Sequence, residues 1–551
     1  MKRKYILSGL LACALTFSAC DVDLLDIPQK GVENEENYYQ TDEQCESAIA
    51  AVYASWRNAY SGRGEKASQY ANGFFLKNFL ADDFNSGGAR SDQVYAQEIY
   101  ESAIVATNGW VENYYKRLYA TIYLANLVIE RFDAAESEVK ARNIAEAKFF
   151  RAICYFELTT LWGTPPLVDR VLKNSEEYKV PNSTAEQLWK FMETDLTEAI
   201  TSGKLTSKTS LEDRDGGTRA TLEAARCLLG KIYLYQEKYA DAKSELEKVI
   251  SSGKYDLIAS TFYHPASAGC KEYVLECVRH YDPSNMYSQE GWFGILANWG
   301  FGYGFIAGPE ASMHYKFNTT SGYSYFNPSK SLYDAFVAEE GADGYRLNAW
   351  IRTWEQVIAM NIAVNTTTNK YASEGYFRLK WLASTDDEFV GYWCGNQSNT
   401  PVIRYADVLL MAAEACLQAG DQAGADEYLG RVRDRARLPR KSHVTLSDIK
   451  LERRLELAME GMRFQDLKRW GDAPAVLADK GKKLPTFQIV PDPNNDLTTA
   501  AGIYNARYTT KTTYVDNEKS LAGWTPNRDE WLPFPENELE VNSNLKQNPG
   551  Y

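Results

Sequence analysis

The sequence predicts a mainly α-helical protein in which tetratricopeptide-like helix pairs form a scaffold broken by long loop-rich, aromatic-rich insertions. Helix-pair spacing recurs at separate places, and between them lies a stretch rich in Gly, Asn, Ser and aromatic residues without helical period. In TLEAARCLLGKIYLYQEKYADAKSELEKVI, Leu229, Gly230 and Tyr233 fall on one helix, with Ala242, Leu246 and Val249 at the matching offsets of the next. Small residues at Gly230 and Ala242 allow the two helices to approach closely. The same offsets recur at Ala413, Cys416, Ala425, Leu429 and Val432, predicting a pair over about 401–437 that Gly420 breaks. A third copy starts at Ala145, with Ala152 and Tyr155, but meets Pro165 and Pro166 before residues 183–200 supply its second helix. Solenoid units bury their faces only against neighbours, so scattered copies imply one array assembled across insertions.

The remaining elements follow in order. Residues 1–19 place Lys2, Arg3 and Lys4 before an apolar run that closes on Phe17-Ser18-Ala19-Cys20. That run is too short to span a bilayer and reads as a lipoprotein signal cleaved before Cys20, whose thiol takes lipid. An ordinary secretory signal, or cleavage before Cys13, are the alternatives. Residues 20–40 read as the lipidated cysteine and an acidic tether. The first part of the scaffold spans 41–255, beginning with a helix over 41–57. From Trp110 a further helix carries two stripes, Tyr114, Leu118 and Ile122 on one side and Tyr115, Tyr119 and Tyr123 on the other, predicting burial on two sides. Residues 256–400 form the loop-rich region expected to bind ligand, residues 401–475 the last part of the scaffold, and residues 476–551 an irregular Pro-rich tail packed on it.

Composition excludes several functions. The net charge is −14, or −17 without Lys2, Arg3 and Lys4, so phosphate backbones are repelled and nucleic acid is not expected as a partner. Nine cysteines in 551 residues do not organise a disulfide framework. Cys45, Cys154, Cys227 and Cys416 sit in helical apolar patterns as small core residues, while Cys270 and Cys277 could pair locally. His264, His280, His314 and His443 stand apart, no Cys or His spacing matches a metal site, and no cofactor is expected. No Ser, His and Asp order stands out and no carboxylate pair can be singled out among 74, so no catalytic residue is assigned and a binder is expected.

The aromatic content is 13%, with 37 Tyr and 13 Trp, which suits ligands that are partly apolar and partly hydrogen-bonding, sugars among them. Between Met286 and Phe305, seven aromatic residues alternate with five glycines, including Trp292, Trp299 and Tyr303. Such a run favours exposed, adjustable rings over a packed core. Gly300, Gly302 and Gly304 lack the spacing and strand–helix context of a dinucleotide fingerprint. The charged run Glu452, Arg453, Arg454, Glu456, Arg463, Asp466, Lys468 and Arg469 reads as a helix laced with ion pairs at three- and four-residue spacing.

Four stretches together, AEAKFFRAICYFELTTLWGTPPLV, PVIRYADVLLMAAEA, ERRLELAMEGMRFQDLKRWG and WLPFPENELEVNSNLKQNPGY, resemble the SusD/RagB family of nutrient-uptake lipoproteins. The likeness covers nearly the whole mature chain, least so at 256–400. It implies an outer-membrane lipoprotein exposed on the cell surface, built on about four tetratricopeptide-like pairs. It also implies that the chain binds glycan and caps a SusC-like TonB-dependent transporter rather than acting as an enzyme. Some relatives handle peptides, so the alternative is a peptide-binding or structural adaptor subunit of such a transporter. In the family, the neighbourhood of ADDFNSGGAR and the helix after it contributes to the ligand surface, which makes Asp82, Arg90, Trp110 and Asn113 candidates beside Trp292, Trp299 and Tyr303. A Trp opening an amphipathic helix also suits the core, and Asp before Asn-Ser-Gly-Gly also suits a turn.

Overall fold

The computed structural model describes residues 38–61, 72–88, 94–259, 270–278, 325–359, 370–380, 399–496, 498 and 507–551. Its frame is an array of four helix pairs. They are α1 (Asp42–Ser61) with α2 (Gly109–Arg131), α3 (Glu138–Trp162) with α4 (Ala185–Thr201), α5 (Leu222–Tyr235) with α6 (Tyr239–Ser251), and α7 (Tyr405–Gln418) with α8 (Gln422–Arg435). Each helix packs on the next, including α2 on α3, α4 on α5 and α6 on α7, so the insertions leave the stack continuous.

Side chains at the starts of these helices satisfy backbone N–H groups that have no partner within the helix. Asn108 accepts from the N–H of Trp110 and Val111, Ser137 from Lys140, and Thr221 from Ala224. Thr184 and Gln187 cap each other reciprocally at the start of α4. Gly420, at φ +83°, ends α7 in the left-handed region, as its place between the helices predicted. A Cβ on Gly230 would stand 2.8 Å from Leu246 Cγ, so α5 and α6 touch at the position where the spacing required a small residue. Ala152, Tyr155, Ala242, Leu246, Val249, Ala413, Cys416, Ala425, Leu429 and Val432 are all buried.

The second stripe of α2 departs from expectation. Tyr115 is buried, Tyr119 partly so, and Tyr123 is 47% exposed, because the stripe runs out of the core toward the end of the helix. Cys270 and Cys277 are free thiols and do not pair. The other described cysteines, Cys45, Cys154, Cys227 and Cys416, are buried core residues.

The described parts of 256–400 and of the tail are more regular than the sequence indicated. β1 (Phe84–Gly87) pairs with β3 (Tyr325–Pro328), after β2 (Tyr273–Cys277) the chain later supplies its partner β7 (Thr400–Arg404), and β4 (Ile351–Thr353) pairs with β6 (Tyr376–Arg378), all antiparallel. Ser329 caps a helix over Lys330–Glu340, which buries Leu332 and Phe336 one turn apart. In the tail, β8 (Lys483–Pro491) and β9 (Tyr508–Asp516) form a nine-residue ladder, extended by β5 (Lys370–Tyr371) along β8. β-Branched Thr and Val along TTKTTYV favour this pleated pairing.

Helices α9 (Leu446–Glu456) and α10 (Arg463–Arg469) follow the last pair. Their charged run is indeed ion-paired, but chiefly across the fold. Arg453 holds Asp407 and Asp466, and Glu456 and Glu460 hold Arg404, all buried, while the partly buried Arg469 holds Glu414. No described helix is long and apolar enough to cross a membrane.

Candidate ligand-binding surface

The described strands that flank the two segments singled out in the sequence pair with each other. In the β1–β3 ladder Gly87 is the register partner of Tyr325. In the sequence, Arg90 lies three residues beyond Gly87, and Tyr303, Trp299 and Trp292 precede Tyr325 by 22, 26 and 33 residues. These four residues, like Cys20, lie outside the described residues. The ladder is held firmly. Phe84 stacks on Phe326 with centroids 4.2 Å apart, Gly87 N–H donates to Ala372 O at 3.0 Å, and Gln97 bridges Ser86 and the Gly87 carbonyl.

Trp110 is not part of an open surface. It is wholly buried, its ring 6.1 Å from Phe79 and 6.3 Å from Phe75, within a layer that also holds Phe74, Phe84 and Phe326. The Asn108 cap sets the start of α2 against this layer, so the first indole of the helix turns inward. Asp82 is likewise engaged, accepting from Arg463 Nε at 3.0 Å and from Arg454 Nη2 at 3.3 Å. Burial raises its carboxyl, but the Arg463 and Arg454 guanidiniums outweigh it and the net shift is downward. Asp83, fully enclosed beside Arg454, is pushed up by burial. Both aspartates pin the 81–88 segment to α9 and α10. Asn113 accepts from Arg117 Nε at 3.3 Å, and Arg117 in turn donates to Asn58 O at the end of α1. Asn113 and Asp82 thus have separate partners.

Next to the ladder lies a group that the sequence did not single out. Glu374 accepts from Asn85 Nδ2 at 3.0 Å, from Tyr514 Oη at 2.6 Å and from the Lys330 N–H at 2.6 Å. Asn85 also accepts from Tyr100 Oη at 2.9 Å. Beside this hub Tyr333 and Tyr376 stack with centroids 4.5 Å apart and planes 27° from parallel. Both rings are partly exposed, and Tyr514 is 50% exposed. Phenol faces and a fixed carboxylate therefore meet beside the β1–β3 ladder. Contributed by residues 333, 374, 376 and 514, the group has no local signal by which a sequence reading could have found it. Its chemistry is that of a binding face, with flat apolar rings and hydrogen-bonding rims.

Potential metal-ligand atoms come together at Glu247, Cys416 and Asp421. Lys243 already pairs with Asp421 at 2.9 Å, and Asp421 caps α8 through Gly424 N–H, so this cluster belongs to the helix junction.

The chain has close likenesses among known proteins. Residues 271–551 match the SusD family, and residues 32–234 match the family described as starch-binding, associating with outer membrane. A SusD-like protein of Bacteroides ovatus is 24% identical over 100% of this chain and 98% of its own length. SusD-like protein P2 of Formosa agariphila is 26% identical over 98% of each chain. Among solved structures, a laminarin binding SusD-like protein superposes with a TM-score of 0.74 at 26% identity, covering 93% of this chain and 100% of the other. Surface glycan-binding protein A from Bacteroides thetaiotaomicron, in complex with laminarihexaose, superposes at 0.70 and 22% identity, covering 92% and 100%, and shares the fold. From the family match over half its length and the full-length likeness to these proteins, the chain belongs to the SusD family.

Proposed function

We propose that this protein is a surface lipoprotein, anchored in the outer membrane through Cys20, that captures oligosaccharide and hands it to a TonB-dependent transporter. The observation that carries the reading is the convergence at the β1–β3 edge. There Tyr333, Tyr376 and Tyr514 stand partly exposed around Glu374, next to the paired strand ends Gly87 and Tyr325. A sugar ring offers a C–H face to stack on such rings and a hydroxyl rim for carboxylates and amides. Each ring contact adds about 1 kcal/mol beyond the buried area. Two or three contacts give modest affinity, which suits a protein that must release its cargo to a transporter held close by. The likeness to a laminarin binding protein supports a glycan as the cargo. No bond is broken in this mechanism.

The test is calorimetric titration of the mature protein with a panel of oligosaccharides that includes laminarihexaose. Binding to at least one is expected, weakened in Trp299→Ala and Tyr514→Ala with the melting temperature unchanged. Failure of every glycan together with binding of peptides would move the function to a peptide-binding adaptor. Mass spectrometry of the native N-terminus checks the lipid on Cys20, and copurification from membranes checks the transporter.

A further inference from the structure

The tyrosine surface beside the β1–β3 ladder carries charge of one sign. The Lys330–Glu340 helix presents Tyr333 and Asp334 one after the other, and Lys330 Nζ pairs with Asp334 at 2.5 Å, both side chains about half exposed. The partners of Glu374 are all uncharged: the Asn85 amide, the Tyr514 phenol and the Lys330 backbone N–H. Glu355 stands in the helix Trp354–Ala359, two residues beyond Thr353, the register partner of Tyr376. It is exposed and accepts from Thr510 Oγ1 at 3.4 Å. Thr510 lies four residues before Tyr514 on β9 and so shares its face. Among the described residues neither Glu355 nor Glu374 is in an ion pair, so three carboxylates stand against one lysine and leave a net charge of −2.

The phenols register this imbalance. Burial comes first in raising Tyr333, Tyr376 and Tyr514, and carboxylates add to it in each case. They are Asp334 and Glu355 at Tyr333, then Asp334, Glu374 and Glu355 at Tyr376, and Glu374 and Asp334 at Tyr514. A guest stacked on these rings therefore lies within the field of the same three groups.

An ionised carboxylate has lone pairs and no proton to give, so a guest meets this rim only with donors. Sugar hydroxyls are donors, while the C–H face of the ring covers the phenols. A uronate carboxylate or a sulfate ester brings acceptors alone and a charge of the same sign. The nearby cations are already engaged: Lys330 by Asp334, and Arg454, which donates to Ser331, by Asp82 and Asp83. We propose that this surface takes uncharged oligosaccharide and that Asp334, Glu355 and Glu374 exclude glycans carrying uronate or sulfate. The inference rests on the reading of the surface as glycan-binding and adds the charge class of the cargo.

Calorimetric titrations test it with laminarihexaose, maltohexaose, cellohexaose and mannohexaose, the same four oxidised to uronates at C6, oligogalacturonate and oligoguluronate. The proteins are mature wild type, the double variant Asp334→Asn with Glu355→Gln, and Lys330→Met. At least one neutral hexasaccharide is expected to bind wild type, with its oxidised form at least about tenfold weaker at low salt. The readout is this ratio. It should shrink to within about threefold in the double variant, where Lys330 balances Glu374, and widen in Lys330→Met, which leaves Asp334 unpaired. It should also shrink as NaCl rises from about 20 to about 500 mM, because exposed charges are screened. Lys330→Met keeps the test decisive should the double variant fold poorly. If wild type binds an anionic oligosaccharide as tightly as its neutral counterpart, or binds only anionic ones, the exclusion is overturned and the glycan-binding function stands. A ratio that stays the same in both variants overturns it as well. If no oligosaccharide of either charge binds, the glycan-binding reading falls and the inference with it.

Discussion

Replacing Glu456 by Gln removes one charge and almost no volume from a deeply buried cluster of charges. Glu456 is wholly buried and accepts from Arg404 Nη2 at 3.0 Å, from Arg346 Nη1 at 3.0 Å and from Arg435. Around it five cations (Arg346, Lys380, Arg404, Arg433, Arg435) meet five carboxylates (Glu272, Glu340, Glu452, Glu456, Glu460). A further pair, Glu339 with Lys441, closes the rim. The knot is thus neutral as it stands. Burial alone would raise the Glu456 carboxyl, but Arg435, Arg404 and Arg346 reverse this and hold it well below the usual carboxylate range. Glu456→Gln leaves one uncompensated positive charge out of reach of water. Breaking a buried ion pair in this way costs about 3–5 kcal/mol. With an unfolding entropy near 2.1 cal/mol/K per residue, that lowers the melting temperature by roughly 3–5 °C in a chain of this size. Differential scanning calorimetry of the mature protein at pH 7 reads it directly. A double-mutant cycle with Arg404→Met should show the pair losing less than the sum of the singles, because the second change restores neutrality. A Glu456→Gln protein that melts within about 1 °C of wild type would refute the claim that this carboxylate balances its guanidiniums.

Three further outcomes follow from local geometry. Gly230→Ala places a Cβ 2.8 Å from Leu246 Cγ and should cost about 1–3 kcal/mol by overpacking, seen as a lower urea midpoint with unchanged glycan binding. Trp110→Ala empties a fully buried site and should cost about 3–5 kcal/mol; a near-normal melting temperature with lost glycan binding would reverse the placement of this ring. Burial drives Lys468 and Lys480 down to about 7, against the nearby Glu530 for the first and Asp529, Asp82 and Glu101 for the second. Unfolded lysines hold their protons to about pH 10.4, so between about pH 7 and 10 the unfolded chain binds more protons and stability rises with pH. Each lysine contributes at most about 1.4 kcal/mol per pH unit. Urea midpoints at pH 7.0 and 9.5 measure the rise, and Lys480→Met should flatten it. A flat wild-type profile would contradict both lysines.

The helix pairs were legible because their information is local. Apolar positions recur with the helix period, and Gly230, Ala242 and Gly420 mark the contacts and breaks directly. The charged run of α9 and α10 was legible only as ion-paired. Its three- and four-residue spacing pointed along the helix, whereas Arg453 reaches Asp407 on α7 and Glu456 reaches Arg346 in the insertion. Spacing encodes neighbours on one helix and is silent about which other elements its charged faces meet. The β8–β9 ladder escaped notice because Pro485 and Pro491 within β8 read as breakers. Trp110 was ambiguous for a similar reason, since the start of a helix faces inward or outward according to a layer of phenylalanines distant in sequence. The tyrosines around Glu374 could not be seen at all, because they meet only through tertiary pairing.

The four stretches that mark the family are halves of the same buried contacts. Arg404 of the second meets Glu460 of the third, and Asp407 and Glu414 of the second meet Arg453 and Arg469 of the third. Gln465 and Lys468 of the third donate to Thr160 of the first. Trp162 of the first donates to Pro533 O of the fourth at 2.9 Å, and Asn548 of the fourth donates back to Trp162 O. Most of these contacts are buried, so replacing one partner alone leaves a charge or donor stranded at a cost of up to several kcal/mol. That cost couples the stretches to one another and not to any ligand, which is why they identify a frame and do not name a sugar. Tyr333, Glu374, Tyr376 and Tyr514 all lie outside them. The proposed binding surface can therefore be altered without unpairing the knot, and glycan preference should respond to substitutions at those positions while the melting temperature responds to substitutions in the four stretches.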